Sequence, residues 1–274
     1  DLNDPDTYAL LGRGLTTGVF QFGSEGMQRL LRRLQPTTME DLIAVVALYR
    51  PGPLQSGMVE DFIKRKHGEA ETEYPHSAFE TILRPTYGVI VYQEQIMRIV
   101  NTIAGFSMAE ALTMIKAISK KKQSVIDKAT EDFIEGATRN GIDRDTAVNI
   151  YSLISHFAGY GFNKAHTSAY AFVAFRTAYL KAHYPTEFMA ANLSCEMGDT
   201  DKVVVLMEDC RRLGIEVLPP EVNESSLGFS VVRDGVIRFG LGAVKNVGTK
   251  AAESVIEERQ QNGPYRSVFD FCER

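Results

Sequence analysis

What most constrains the fold of this chain is how often its helical pattern is interrupted. Apolar residues recur at helical spacing up to about residue 213. Breaks fall at Pro36, at Arg-Pro-Gly-Pro (50–53), at Gly68, at Arg-Pro-Thr-Tyr-Gly (84–88), at Gly105, at Gly141, between Gly159 and His166, and at Pro185. Pieces mostly of about 10 to 18 residues are marginal as isolated helices and gain stability by packing against one another. The pattern therefore predicts a mainly α, multi-helix body. Start signals agree with it. Ser24 precedes Glu-Gly-Met-Gln-Arg-Leu, and Thr37 with Glu40 and Ser107 with Glu110 have the spacing of a capping box, in which side chains satisfy the first backbone N–H groups of a helix.

Beyond residue 213 the texture changes. Phe229 to Phe239 places two β-rich runs about Asp234-Gly235, a strong hairpin signal. Ala243 to Arg259 then reads as a short helix, an Asn-Val-Gly hairpin and a second helix. Pro219-Pro220 stiffens the connection. The expected organisation is a helical domain over 1–218, followed over 219–274 by a small β-hairpin element and the start of a helix-hairpin-helix region.

Composition narrows the function. The longest apolar run, Leu42 to Tyr49, falls far short of the roughly 18 residues of a membrane span, and the first residues have no signal-peptide character, so a cytoplasmic protein with no membrane partner is expected. Cys195, Cys210 and Cys272 are odd in number and far apart. They predict reduced, mostly buried thiols without a zinc site. A net charge of −5 argues against nucleic-acid binding by bulk electrostatics, but residues 1–130 carry 15 Lys+Arg against 15 Asp+Glu while 131–274 carry 15 against 20, so local basic patches remain. No P-loop, Gly-x-Ser-x-Gly or His-Glu-x-x-His is present. Asp143/Asp145 and Asp199/Asp201 fall where helix N-caps are expected, so neither a catalytic carboxylate set nor a metal site is predicted. The chain begins without Met and ends just after Ser-Val-Phe-Asp-Phe, and reads as part of something longer.

Four stretches can bind a ligand. In Gly159 to His166 the glycines release Tyr160 and Phe162 from the helical register, Asn163 offers an amide, and Lys164 and His166 precede a helix whose N-terminus favours an anion. Together these suit a base, sugar and triphosphate, although an interhelical loop with core aromatics has the same composition. In the second stretch Lys116 and Lys120 share a helix face, and Lys121 and Lys122 extend the charge, to neutralise a polyanion or, as the residues alone favour, simply to form a solvated helix C-terminus suited to the dipole. The third fixes Arg50 at a corner stiffened by Pro51 and Pro53, to read a phosphate or to bridge within the core. The fourth is the helical hairpin, where Gly248 lets backbone N–H groups approach a DNA phosphate, aided by Lys245 and Lys250, although a hairpin used only for packing has the same pattern.

Seven blocks, among them Gly-Val-Phe-Gln-Phe-Gly (18–23), Leu-Tyr-Arg-Pro-Gly-Pro-Leu-Gln-Ser-Gly-Met (48–58), Tyr-Gln-Glu-Gln-Ile-Met (92–97) and Phe-Ala-Gly-Tyr-Gly-Phe-Asn-Lys-Ala-His (157–166), follow an order that resembles the catalytic α subunits of bacterial DNA polymerase III, the C-family replicative polymerases. The resemblance covers nearly the whole chain. It implies a fingers domain running into a helix-hairpin-helix region, and a DNA-directed DNA polymerase in the intact protein. Tyr160, Asn163, Lys164, His166, Lys116 and Arg50 are then expected at the incoming nucleotide, and Lys120, Lys121, Lys122, Lys245, Gly248 and Lys250 at DNA. Expected partners are primer-template, deoxynucleoside triphosphate, the palm and thumb, and other replisome subunits. The implied Mg2+ ions sit on palm aspartates outside this chain, which is therefore expected to be inactive alone. One departure is visible: Leu112 and Ile115 stand where the family usually has Asp and Arg, and Lys116 where it has a second Arg, so a phosphate contact from that helix loses its bidentate fork. Two other readings remain open, a non-catalytic helix-hairpin-helix DNA-binding module and a protein-interaction surface.

Overall fold

Fifteen α-helices, two short 3₁₀ turns and one three-stranded sheet are found among the described residues, 1–72 and 74–274 of a computed structural model. The chain divides into two compact units. One comprises Asp1–Gly14 with Gly26–Phe175, the other Leu15–Glu25 with Arg176–Arg274. This division falls inside a helix, whereas strand replaces helix at Glu216.

The first unit contains α1 (Pro5–Gly12), α2 (Glu25–Leu34, all but its first residue), α3 (Met39–Leu48), α4 (Pro51–Gln55), α5 (Met58–Lys66), α6 (Ser77–Leu83), α7 (Gln93–Ala104), α8 (Met108–Ser119), α9 (Gln123–Arg139), α10 (Arg144–Ala158) and the first part of α11 (Lys164–His183). Its principal core lies among α6 to α10. Ile96, Ile99 and Val100 of α7, Ile115 of α8, Phe133 of α9 and Ile150 and Ile154 of α10 are all essentially inaccessible. Ser107 and Glu110 form the capping box of α8 as their spacing predicts. The box of α3 is shifted by one residue, to Thr38 and Asp41. Asp41 wins because it is buried at the first turn of α3, where its short arm reaches the Thr37 and Thr38 N–H groups; Glu40 stays half exposed and turns elsewhere. Asp143 and Asp199 are N-caps of α10 and of the helix Thr200–Arg212.

Gly136 of α9 lies against the Ala104 carbonyl at the end of α7, and a β-carbon there would fall well inside contact distance of that backbone oxygen. Gly136→Ala is expected to destabilise the protein by about 1–3 kcal/mol, because the helices must part, against a gain of about 1 kcal/mol in helix propensity. Urea unfolding measures it; a midpoint that holds or rises would show that α7 and α9 can separate freely.

The second unit contains the rest of α11, α12 (Pro185–Cys195), α13 (Thr200–Arg212), β1 (Glu216–Leu218), β2 (Ser230–Arg233), β3 (Val236–Arg238), α14 (Thr249–Asn262) and α15 (Val268–Glu273). β2 and β3 form the antiparallel hairpin about Asp234-Gly235, with a register shift between Val231 and Arg233. β1 adds in parallel to β3, pairing Val217 with Ile237, so the strand order is β1-β3-β2. Lys181 of α11 is fully buried. It pairs with Asp209 of α13 at 2.5 Å and donates to the Thr17 carbonyl at 2.7 Å, which ties segment 15–25 into this unit. Two expectations need correction. Cys195 and Cys272 are exposed and only Cys210 is buried, because the first two lie near the ends of α12 and α15. The short helix before the Asn-Val-Gly hairpin is a single 3₁₀ turn, Leu241–Ala243, which the Gly240 and Gly242 backbone around it favours over a full α turn.

Candidate functional site

The break between α10 and α11 is held firmly within the first unit. The Phe162 N–H donates to the Val91 carbonyl and the Gln93 N–H to the Phe162 carbonyl, both at 3.0 Å, forming a parallel bridge between Tyr92 and Phe162. The Asn163 side-chain oxygen accepts the His166 N–H at 2.8 Å and so caps α11. Arg50, N-cap of α4, braces the loop from the Arg-Pro-Gly-Pro corner. Its guanidinium donates to the Ala47 carbonyl at 2.6 Å and the Tyr160 carbonyl at 2.8 Å, and its centre lies 4.3 Å from the Phe162 ring centroid. Partial burial lowers its pKa, and these contacts, with the ring face, offset part of the lost hydration. Tyr160 lies over Gly52, where a β-carbon would come within 2.6 Å of its ring. Only glycine at that corner allows the approach.

Lys164 opens α11 half exposed. Its N–H donates to both carboxylate oxygens of Glu94, at 3.0 and 3.1 Å, and its ammonium lies 2.9 Å from Glu40 Oε2 and 5.3 Å from the Tyr92 ring centroid. The helix N-terminus that the sequence marks as an anion site thus already holds an anion, the side chain of Glu94. His166 is exposed and lies tilted against Tyr170 at 4.2 Å, with the Phe162 ring edge-on at 5.4 Å. Tyr92 is buried beneath this cluster, and its hydroxyl has no hydrogen-bond partner among the described residues. Burial, and then the charges of Glu40, Glu94 and Asp41, push its pKa far up, so it stays a neutral phenol.

The six residues read as nucleotide-binding are thus only partly assembled. Arg50, Tyr160, Asn163, Lys164 and His166 meet about one loop. Lys116 is exposed in the last turn of α8, and no hydrogen bond or ion pair joins it to that loop among the described residues. Beside it, Ile115 is in the hydrophobic core at 1% exposure and Leu112 is half buried, so position 115 holds an apolar anchor in place of a charge. Lys120, Lys121 and Lys122 make the exposed turn from α8 to α9, with Lys121 in the left-handed region at φ 52°. Lys245, Gly248 and Lys250 are exposed at the start of α14, where Gly248 is an N-cap without a capping side chain, so backbone N–H groups there receive no side-chain acceptor. Sequence reasoning missed Glu94 and treated Glu40 only as a capping residue. The signal was a carboxylate in the first turn of α7, next to Tyr92, with nothing local to mark its distant partner.

Comparison with known proteins bears on both regions. Residues 1–141 match the family described as the bacterial DNA polymerase III alpha subunit finger domain, and residues 214–274 match a helix-hairpin-helix motif. The whole chain aligns with DNA polymerase III subunit alpha of Pseudomonas aeruginosa at 50% identity, of Escherichia coli strain K12 at 48%, and of Vibrio cholerae at 46%, in each case over 278 aligned positions. It spans 24% of the length of each of these relatives. With its first half in the finger-domain model and its full length aligned to these subunits, the chain belongs to the bacterial DNA polymerase III alpha subunit family.

Proposed function

We propose that this chain acts as the fingers of a replicative DNA-directed DNA polymerase, closing over an incoming deoxynucleoside triphosphate with the loop of Tyr160, Asn163, Lys164 and His166. The observation that carries the reading is the bracing of this loop. Arg50, the Tyr92–Phe162 bridge and the Asn163 cap fix the backbone, while Lys164 and His166 keep their charged or polar ends at the surface. A cation held on a rigid mount gives up little freedom when it meets a phosphate. Arg50 serves the same site from behind as a brace.

The helix-hairpin-helix region supplies the second contact in this reading. Backbone N–H groups at the start of α14, with Lys245 and Lys250, suit a DNA phosphate without reading sequence. Lys120, Lys121 and Lys122 add positive charge toward the primer-template, and Lys116 is the least supported of the nucleotide contacts. Palm, thumb and further replisome subunits complete the polymerase, over a division in which 1–218 is the fingers and 219–274 the hairpin and DNA-contacting element. The divalent ions of the polymerase reaction, Mg2+ by the resemblance, have no donor set here: among the described residues no group of three or more His, Cys, Asp or Glu side chains is placed to hold a metal ion. By the resemblance the catalytic aspartates lie in the palm, outside this chain, which is proposed to be inactive alone and to work in the cytoplasm.

Single-turnover incorporation by the full-length polymerase, with nucleotide varied at fixed primer-template, tests the reading. Lys164→Ala is expected to weaken apparent nucleotide affinity or lower the maximal rate at least tenfold, about 1.4 kcal/mol. Lys121→Ala and Lys122→Ala are expected to act less than threefold on nucleotide. Equal effects at all three positions, or none at Lys164, would refute the assignment.

A further inference from the structure

The contacts of Lys164 differ in kind. Its N–H is gripped by both oxygens of Glu94, which fixes where α11 begins. Its ammonium lies 2.9 Å from Glu40 Oε2, yet that buried oxygen makes no hydrogen bond among the described residues, so the two are joined by charge without the directional part of the contact. Both side chains remain partly open, 35% for Lys164 and 46% for Glu40, and ion pairs so exposed contribute little to stability. The backbone of Glu40 is fixed, because the adjacent Asp41 is locked into the capping box and core of α3.

We infer that Glu40 is a positioning residue for the nucleotide loop, a resident carboxylate that holds the Lys164 ammonium in place and is exchanged for a phosphate of the incoming triphosphate. This rests on the reading of the loop as a nucleotide site and goes a step beyond it. A phosphate oxygen carrying full charge forms the directed, charge-assisted hydrogen bonds that Glu40 does not, so the exchange favours the ligand. The backbone of Lys164 need not move, because Glu94 keeps it at the start of α11. The pair also sets a threshold. An anion must outcompete a tethered carboxylate before it reaches the ammonium, which favours a polyphosphate chain over weaker anions. Glu40 touches no reacting atom in this scheme, and its effect passes through Lys164.

The test is a double-mutant cycle in the full-length polymerase, reading single-turnover incorporation of dTTP opposite template adenine. Glu40→Gln keeps size and removes charge. It is expected to lower the apparent dissociation constant for dTTP three- to tenfold without a comparable rise in maximal rate, and to change it less than twofold when Lys164 is already alanine. Glu40→Asp, with the charge on a shorter arm, is expected to fall between Glu40→Gln and wild type. If Lys164→Ala weakens dTTP binding but Glu40→Gln also weakens it, or acts equally in both backgrounds, the exchange is wrong and the nucleotide site stands. If Lys164→Ala lowers only the maximal rate, the exchange is wrong and the nucleotide site stands; if it changes neither dTTP binding nor rate, the site reading fails and Glu40 loses its role with it.

Discussion

Replacing Asp209 by alanine is expected to cost the protein about 3–5 kcal/mol of stability, the range found when one partner of a buried ion pair is removed. Lys181 has no exposed side-chain surface, and its ammonium is held by Asp209 at 2.5 Å and the Thr17 carbonyl at 2.7 Å. Burial already pulls the Lys181 pKa below its usual range, more than the Asp209 charge restores. With Asp209 gone, the lysine must lose its proton or draw in water, and either loosens three segments at once: α11, α13 and residues 15–25. Changing both residues, Lys181→Met with Asp209→Leu, is expected to recover most of the loss, since an apolar pair of similar bulk needs no desolvation of charge. Urea unfolding of the three variants measures the difference. A cost below about 1 kcal/mol for Asp209→Ala would show that Lys181 has found another partner and that the pair is no anchor.

The helical body, the capping box at Ser107, the N-caps at Asp143 and Asp199 and the Asp234-Gly235 hairpin were all legible in the sequence, because each depends on residues within a few positions of one another. Strand β1 was not. Three residues are too few to show an alternating pattern, and Glu216–Leu218 becomes a strand only because β3 lies beside it. The site shows the same limit. Tyr160, Asn163, Lys164 and His166 are neighbours in the chain and announced themselves together. What they rest on is remote: Arg50 reaches Tyr160 across 110 residues and Glu94 reaches Lys164 across 70. A carboxylate at Glu94 has a bland local reading as a first-turn acid in α7, favourable to the helix dipole. Nothing nearby says that it closes the N-terminus of α11. The one-residue shift of the α3 cap has the same origin. The local spacing suits Thr37 with Glu40 as well as Thr38 with Asp41, and the burial of Asp41, where the distant Lys66 and Tyr87 also meet it, selects the second.

That choice at Asp41 carries the other large expected effect, and one that depends on pH. Asp41 is 1% exposed, and its carboxylate accepts from the Thr37 and Thr38 N–H groups at 2.9 and 3.1 Å, from Lys66 at 2.9 Å and from the Tyr87 hydroxyl at 3.1 Å. Burial alone would raise its pKa; the Thr37 N–H, Lys66 and Tyr87 together outweigh burial and hold it below the usual carboxylate range. Tyr87, pushed up to about 12 by burial and by Asp41, remains a donor at any ordinary pH. Asp41→Ala orphans these donors and strands the buried Lys66 ammonium, for an expected loss of about 3–5 kcal/mol. Because the folded pKa lies below the unfolded value of about 3.9, the stabilisation from the ionised group is fully present above that value and is lost as pH falls through the folded pKa. Wild-type stability should therefore decline below about pH 4 by an amount that Asp41→Asn, already uncharged, does not show at this position. Denaturant unfolding at a series of pH values separates the two chains; parallel curves would mean that folding does not shift the Asp41 pKa. Since Asp41 fixes the first turn of α3, and Glu40 stands on that turn, Asp41→Ala is also expected to release Glu40 from Lys164, joining the stability of this helix end to the state of the nucleotide loop.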